Sequence, residues 1–125
     1  AVVCVDIQER MIATLRRRAA RKGLEDRIDG RVCGADGLGL GDLEGHVDFV
    51  LAFAVLHEVP ELDAVLDELR DTLRPGGKFL ISEPAGHVSV ADFERTVMTA
   101  ERAGLRLVER PEIPRGLSAL MALPA

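Results

Sequence analysis

The chain has little of what proteins that bind nucleic acids or cross membranes contain. Tryptophan and tyrosine are absent and phenylalanine occurs four times, so no platform of aromatic rings is available for stacking bases. The formal net charge is −5. The one basic cluster, at residues 16–22, lies on a predicted helix whose consecutive positions point about 100° apart, so it forms no stripe. No apolar run approaches the roughly 20 residues of a membrane span. We therefore expect neither a nucleic-acid partner nor a membrane segment.

Cysteine is also scarce. The two cysteines, Cys4 and Cys33, each lie in an apolar run typical of a strand, and neither belongs to a C-x-x-C or mixed Cys/His pattern. We expect two reduced thiols in a cytoplasmic protein and no metal site. Because no basic segment followed by an apolar stretch opens the chain, we also expect no export signal.

The composition predicts one soluble globular domain over residues 1–125. Apolar residues make up 47% of the chain and charged residues 30%, which is ordinary for a folded soluble protein. A chain of 125 residues can bury a real core. No repeat, linker or low-complexity tract interrupts it.

Strands and helices are predicted to alternate along the chain. Apolar, β-branched runs predict strands at 1–5, 27–33, 47–54, 78–82, 105–109 and 117–123, and helical spacing predicts helices at 8–22, 59–73 and 89–103. Such alternation is typical of parallel βαβ units. The last two strands are separated only by residues 110–116, too few for a parallel crossover, so they form an antiparallel hairpin. The sequence predicts an α/β fold, a doubly wound and mostly parallel sheet with that hairpin at its end.

Two acidic residues follow the first two predicted strands. In open α/β sheets ligands bind beyond the carboxyl ends of the strands, where Asp6 could accept both hydroxyls of a ribose. Asp6 could equally cap the helix that begins near Gln8. Asp36 could accept from the exocyclic amine of adenine while the Gly37 N–H donates to the ring, or the pair could be an ordinary turn. The spacing of the two acids favours nucleoside binding.

His57 and Glu58 follow the third predicted strand, at the central mouth of the sheet, where a transferred group would lie. His57 could remove a proton from an acceptor. Alternatively, one of the two residues caps or orients the next helix, and both interpretations stay open. After the fourth strand, Glu83, Pro84 and His87 favour a turn with a surface histidine.

Several blocks together resemble the class I S-adenosylmethionine-dependent methyltransferases of the small-molecule type. They are V-C-V-D at 3–6 with Met11 in the next helix, G-A-D at 34–36, V-D-F-V at 47–50, L-H-E-V at 56–59 and L-R-P-G-G-K at 73–78. The last is the most specific, because L-R/K-P-G-G before a strand recurs in this family. The resemblance covers nearly the whole chain and implies a Rossmann-like fold with S-adenosylmethionine as the cofactor.

The resemblance also implies roles for individual residues. It places six at the cofactor: Asp6 on the ribose hydroxyls, Ile7 against the adenine ring, Asp36 and Gly37 at the adenine edge, and Ala52 and Phe53 near the methionine part. The family's chemistry is an in-line displacement at a sulfonium methyl, so the protein mainly positions and desolvates. His57 would act as a base only for an acceptor that arrives protonated. We expect a small-molecule acceptor; its identity and the oligomeric state stay open.

The chain departs from the family at its start. The family's G-x-G-x-G loop and the strand before it precede the equivalent of Asp6, and neither is present here. In the family's strand order, 3-2-1-4-5-7-6, the absent strand lies between those predicted at 1–5 and 47–54. Either an upstream segment supplies it, or the two strands pair directly and the cofactor site is crippled. We expect the upstream segment, because Ala1 already lies inside an apolar run.

Two other functions compete with methyl transfer. A nicotinamide-dependent oxidoreductase also binds ribose through an acid that ends a strand, but without tyrosine the chain offers no Tyr–Lys set for hydride transfer. A degenerate, non-catalytic interaction module is favoured by the absent glycine-rich loop. It is disfavoured by the retention of Asp6, Asp36 and the His57-Glu58 pair.

Overall fold

The computed structural model describes all residues, 1–125, and contains six strands and three α-helices. In chain order they are β1 (Val2–Asp6), α1 (Glu9–Arg21), β2 (Ile28–Val32), β3 (Val47–Phe53), α2 (Leu62–Thr72), β4 (Leu73–Pro84), α3 (Val90–Arg102), β5 (Arg106–Glu109) and β6 (Gly116–Ala122). Short 3₁₀ turns occupy Gly41–Leu43 and Leu56–Glu58. The predicted alternation of strands and helices is confirmed. The chain divides into two compact units, Ala1–Gly39 and Leu40–Ala125.

The first unit is a parallel strand pair connected by a helix. β1 and β2 run in the same direction, with Asp6 opposite Val32 at their carboxyl ends. α1 buries Ile12 and Ala19. A Cβ at Gly30 would lie 3.1 Å from Cγ2 of Ile12, so a glycine in β2 allows the helix to approach closely. The residues that follow both strands therefore emerge at one edge of this unit.

The second unit is a mixed four-stranded sheet in the order β3-β4-β6-β5. β3 and β4 are parallel, whereas β6 is antiparallel to both β4 and β5. The predicted terminal hairpin, β5–β6, is confirmed. The α/β class follows from these elements.

One face of this four-stranded sheet carries the hydrophobic core. Phe79 and Ile81 of β4 are fully buried together with Leu66 of α2 and with Phe93 and Val97 of α3. The other face of β3 is apolar but open, because Phe49, Leu51 and Phe53 are 51%, 58% and 61% exposed. The alternation along β3 thus separates core residues from exposed ones.

The predicted break before the fourth strand is wrong in detail. β4 begins at Leu73, directly after α2, instead of at Lys78. Leu73 pairs with Val47, and the ladder resumes with Lys78 opposite Phe49 after a register shift. The backbone of Gly76 and Gly77 hydrogen-bonds to Leu123, and these bonds keep the irregular segment in the sheet.

β1 and β3 are edge strands of their own sheets. β1 is hydrogen-bonded only to β2, and β3 only to β4. Each of these strands therefore has one edge without a partner strand.

Candidate functional site

Asp6 lies at the carboxyl end of β1, and one of its two carboxylate oxygens accepts a hydrogen bond from the protein. Its Oδ1 accepts from the Gln8 backbone N–H at 2.8 Å, ahead of α1. The alternative in which Asp6 caps the helix is wrong, because the N-cap of α1 is Gln8 and no side chain makes a capping bond there. Oδ2 has no hydrogen-bond partner, and Ile7 beside it is 65% exposed. A free carboxylate oxygen next to an exposed apolar side chain fits a ribose hydroxyl next to an adenine ring.

Asp36 lies in a tight turn just after β2. Gly34 and Gly37 bridge across that turn, and Gly37 has a φ of +137°, which L side chains rarely adopt. The turn expected for Asp36-Gly37 is therefore present. The Asp36 carboxylate is exposed and has no protein partner, so a ligand amine could still reach it.

Ala52 and Phe53 end β3 in different environments. Ala52 is buried in the core, so its side chain is not available to a ligand and only its backbone could face one. Phe53 is exposed on the opposite face. The next residue, Ala54, has a φ of +56°, and its N–H donates to the carbonyl of Ser82 at 2.8 Å. A non-glycine residue with a positive φ is uncommon and indicates backbone strain at the end of the strand. No feature of the sequence predicted this strain.

The most developed side-chain arrangement lies between the ends of β3 and β4. Glu83 is 2% exposed, and both of its carboxylate oxygens are engaged. Oε1 accepts from the Leu56 backbone N–H at 2.9 Å, and Oε2 lies 2.5 Å from Nδ1 of His57. One buried carboxylate therefore holds both the backbone and the imidazole of the 3₁₀ turn after β3.

This contact determines which nitrogen of His57 carries the hydrogen. An ionised carboxylate only accepts hydrogen bonds, so the hydrogen between the two groups is on Nδ1. Nε2 lies 3.5 Å from the carboxylate of Glu58, a side chain that is 74% exposed. The His57 side chain itself is 26% exposed. In the neutral ring Nε2 is consequently an accessible acceptor for a proton.

Sequence reasoning missed the role of Glu83. It grouped Glu83 with Pro84 and His87 as a turn with a surface histidine. His87 is indeed exposed in a turn, but Glu83 lies within β4. A signal was available, because Glu83 continues the alternation of Phe79 and Ile81 on the buried face.

No helix of the chain is long and apolar enough to cross a membrane. No group of three or more His, Cys, Asp or Glu side chains is arranged to hold a metal ion.

Comparison with known families shows which family the chain belongs to. The family model described as "Methyltransferase domain" matches residues 1–81. The chain belongs to this family. The cofactor of the family is S-adenosylmethionine, and the free oxygen of Asp6, the exposed Ile7 and the unpartnered Asp36 are suited to its nucleoside.

Relatives of known description match parts of the chain. The ubiquinone/menaquinone biosynthesis C-methyltransferase of Bradyrhizobium diazoefficiens is 37% identical over 83 residues, which are 66% of this chain and 32% of that protein. A highly reducing polyketide synthase of Penicillium decumbens is 39% identical over 51 residues, 41% of this chain and 2% of that protein. The chain thus spans about a third of the first relative's length and far less of the second.

Solved structures confirm the methyltransferase fold. An S-adenosylmethionine-dependent methyltransferase from Aquifex aeolicus superposes with a TM-score of 0.83 at 20% identity, over 98% of this chain and 68% of that one. A [4+2]-cyclase superposes with a TM-score of 0.74, also at 20% identity, over 87% of this chain and 44% of that one. Since the fold is shared with a cyclase, the reaction has to be argued from the site residues.

Proposed function

We propose that this domain transfers a methyl group from S-adenosylmethionine to a small-molecule acceptor. The observation that carries the proposal is the match of residues 1–81 to the methyltransferase domain family. The site residues support it, because the carboxyl end of β1 presents a free carboxylate oxygen beside an exposed isoleucine. The acidic net charge of −5 favours a small acceptor over a nucleic acid.

Each cofactor residue has a distinct part in this proposal. Oδ2 of Asp6 accepts from the ribose hydroxyls, and Ile7 packs on the adenine ring. Asp36 and the Gly37 N–H bind the adenine edge, whereas the end of β3, through the backbone of Ala52 and the ring of Phe53, borders the methionine part. The bound cofactor supplies a methyl group on a positively charged sulfur. The chain then has to orient the acceptor, exclude water and, for a protonated acceptor, remove a proton.

His57 is the residue that we propose for proton removal. When Nδ1–H donates to Glu83, Nε2 is the unprotonated nitrogen of the neutral ring, and Glu83 on the opposite side stabilises the imidazolium that proton uptake creates. A cytoplasmic location, with Cys4 and Cys33 reduced, completes the proposal; both thiols are free in the structure. Imaging of a fluorescent fusion tests that location.

Calorimetric titration with S-adenosylhomocysteine, using the full natural gene product and its Asp6→Asn variant, tests the cofactor role. Asparagine keeps an oxygen for the Gln8 N–H but places an amide where the carboxylate would meet the ribose. A hydrogen bond to a charged group contributes about 1.5–3 kcal/mol, so we expect the affinity of the variant to fall about tenfold or more.

Asp26→Ala is the matched control, because Asp26 is an exposed carboxylate in the turn after α1. Its affinity should equal that of the wild type. Equal affinity of the wild type and Asp6→Asn for S-adenosylhomocysteine would show that Asp6 does not bind the cofactor. If the folded wild-type protein bound no cofactor, the result would contradict methyl transfer and would favour the non-catalytic interaction module.

A further inference from the structure

The turn that leads from β5 into β6 holds an arginine in a backbone conformation that favours glycine. The Gly116 N–H donates to the Ile113 carbonyl at 3.0 Å, which closes a four-residue turn with Pro114 in its second position. Arg115, in the third position, has a φ of +63°. Proline followed by a positive φ is typical of a type II turn, whose third position is ordinarily glycine. Arg115 therefore bears backbone strain that a glycine would relieve.

Hydrogen bonds hold this turn at the carboxyl end of β4. The Arg115 carbonyl accepts from the Ala85 N–H at 3.0 Å, and Gly116 is paired with Pro84, the last residue of β4. These bonds keep the strained conformation in place. In open α/β sheets ligands bind beyond the carboxyl ends of the strands, so Arg115 lies at the edge where a ligand is expected. Backbone strain of this kind clusters at ligand sites.

The guanidinium of Arg115 is available to a ligand. Its side chain is exposed and has no acidic partner within the chain. Arg110, at the start of the same connection, is instead paired with Glu94 of α3 through two hydrogen bonds of 2.6 and 2.8 Å. Arg115 is consequently the arginine of this connection whose charge is not balanced by an ion pair. Because a guanidinium presents parallel N–H groups, a carboxylate matches it in geometry as well as in charge.

An apolar groove of about 350 Å³ lies beside the turn. Both ends of the turn, Ile113 and Gly116, contribute to its wall, together with Val90 of α3 and Leu117 of β6. Since Arg115 lies between the first two residues, its long side chain can reach the mouth of the groove. The volume is within the range of small-molecule sites, and the lining suits a hydrocarbon body.

We infer that the turn at 113–116 and this groove form a binding site for an organic carboxylate, with the carboxylate on the Arg115 guanidinium and the apolar body in the groove. Glu112 is an exposed acid in the wall of the groove, so a ligand with a second negative charge, such as a phosphate, is repelled. Every residue of the site belongs to the unit Leu40–Ala125. The inference goes beyond methyl transfer and does not rest on it.

The strain is tested with Arg115→Gly in the full natural gene product. Glycine adopts a positive φ without strain, so we expect a higher urea midpoint of unfolding than in the wild type, together with weaker binding of a carboxylate. An arginine that served stability alone would not give a more stable protein on its removal. A midpoint at or below that of the wild type would show that the turn does not strain Arg115 and would overturn the inference.

The charge is tested by titrating sodium benzoate into the ¹⁵N-labelled full natural gene product, with the backbone NMR signals of residues 113–117 as the readout. Benzamide supplies the same ring without the charge, whereas acetate and inorganic phosphate supply charge without the ring. We expect saturable shifts with benzoate, at a lower concentration than with any of the other three probes. In Arg115→Gln, which loses the charge but keeps a side chain, the affinity for benzoate should fall at least about tenfold.

Arg106→Gln is the matched control, because Arg106 is another exposed arginine and is paired with Ala122, at the far end of β6 from the turn. Its affinity for benzoate should equal that of the wild type. No saturable binding of benzoate by the folded wild type, equal binding of any other probe, or equal losses in the two glutamine variants would overturn the inference. These titrations contain no cofactor, so their outcome is independent of the S-adenosylhomocysteine titration that tests the proposed function.

Discussion

Cys4 shows how one side chain responds to its position in β1. Burial, and after it the nearby Asp29 carboxylate, raises the pKa of the Cys4 thiol above its ordinary value of 9.0. Both influences oppose formation of a negative charge. Because the thiolate and not the thiol is the nucleophile, Cys4 should be an unreactive thiol at neutral pH.

This behaviour can be tested on a Cys33→Ser variant, in which Cys4 is the remaining thiol. The rate of alkylation by iodoacetamide, followed by mass spectrometry as the pH is raised, should reach its half-maximum at a higher pH than that of N-acetylcysteine amide. The sign follows from the raised pKa, since the protonated form persists to higher pH. A midpoint at or below that of the small thiol would contradict the burial of Cys4.

The sequence predicted the positions of some candidate site residues in the fold better than those of others, for a physical reason. Asp6 and His57 could be proposed because each follows an apolar run, and the end of a strand is visible locally. The partner of His57 lies 26 positions further along the chain, so the pairing depends on two strand ends meeting. Placing the end of the fourth strand at Ser82 instead of Pro84 was enough to move Glu83 out of the buried face.

At the scale of elements, the L-R-P-G-G segment shows why a recognisable motif need not be a simple turn. Gly76 has a φ of +80°, which favours glycine. A Cβ at Gly77 would lie 2.9 Å from the Arg74 carbonyl oxygen and 3.2 Å from that of Val47. The two glycines therefore allow the start of β4 to stay against β3 where the register shifts.

Gly77→Ala should destabilise the protein, because the backbone oxygens that its Cβ would meet are held in the sheet. Overpacking of this kind costs about 1–3 kcal/mol. Gly86→Ala is the matched control, since a Cβ there meets nothing within 4 Å, and a surface change of this kind alters stability by about 0.5 kcal/mol or less. Urea unfolding compares the two variants with the wild type. Equal destabilisation of both would show that the close contact at Gly77 does not matter.

Predictions of whole elements succeeded more generally because they rested on short-range signals. The predicted start of the third helix at residue 89 depends on such a signal, since Ser89 caps α3 by accepting from the Asp92 N–H at 3.1 Å, only three residues further on. The β5–β6 hairpin followed from the shortness of the segment between its strands. The extension of β4 back to Leu73 was not visible, because it depends on pairing with Val47.

At the scale of the whole molecule, the comparisons identify the family and the fold, whereas the reaction is our proposal. The family model matches residues 1–81 and the fold superposes on solved methyltransferases, yet a [4+2]-cyclase shares that fold. Ala1–Gly39 and Leu40–Ala125 are each compact units. This division does not show whether the two units fold as one domain, so the expected single domain stays a prediction. What distinguishes methyl transfer from its competitors is the ligand that the protein binds.

The most direct measurement is therefore a comparison of two ligands in their binding to the full natural gene product. S-adenosylhomocysteine and NADH are titrated separately by calorimetry under identical conditions. Methyl transfer predicts saturable binding of S-adenosylhomocysteine, with no binding of NADH at the same concentrations. Binding of NADH alone would favour the oxidoreductase, and binding of neither by a folded protein would favour the non-catalytic module; either result would contradict the proposed function.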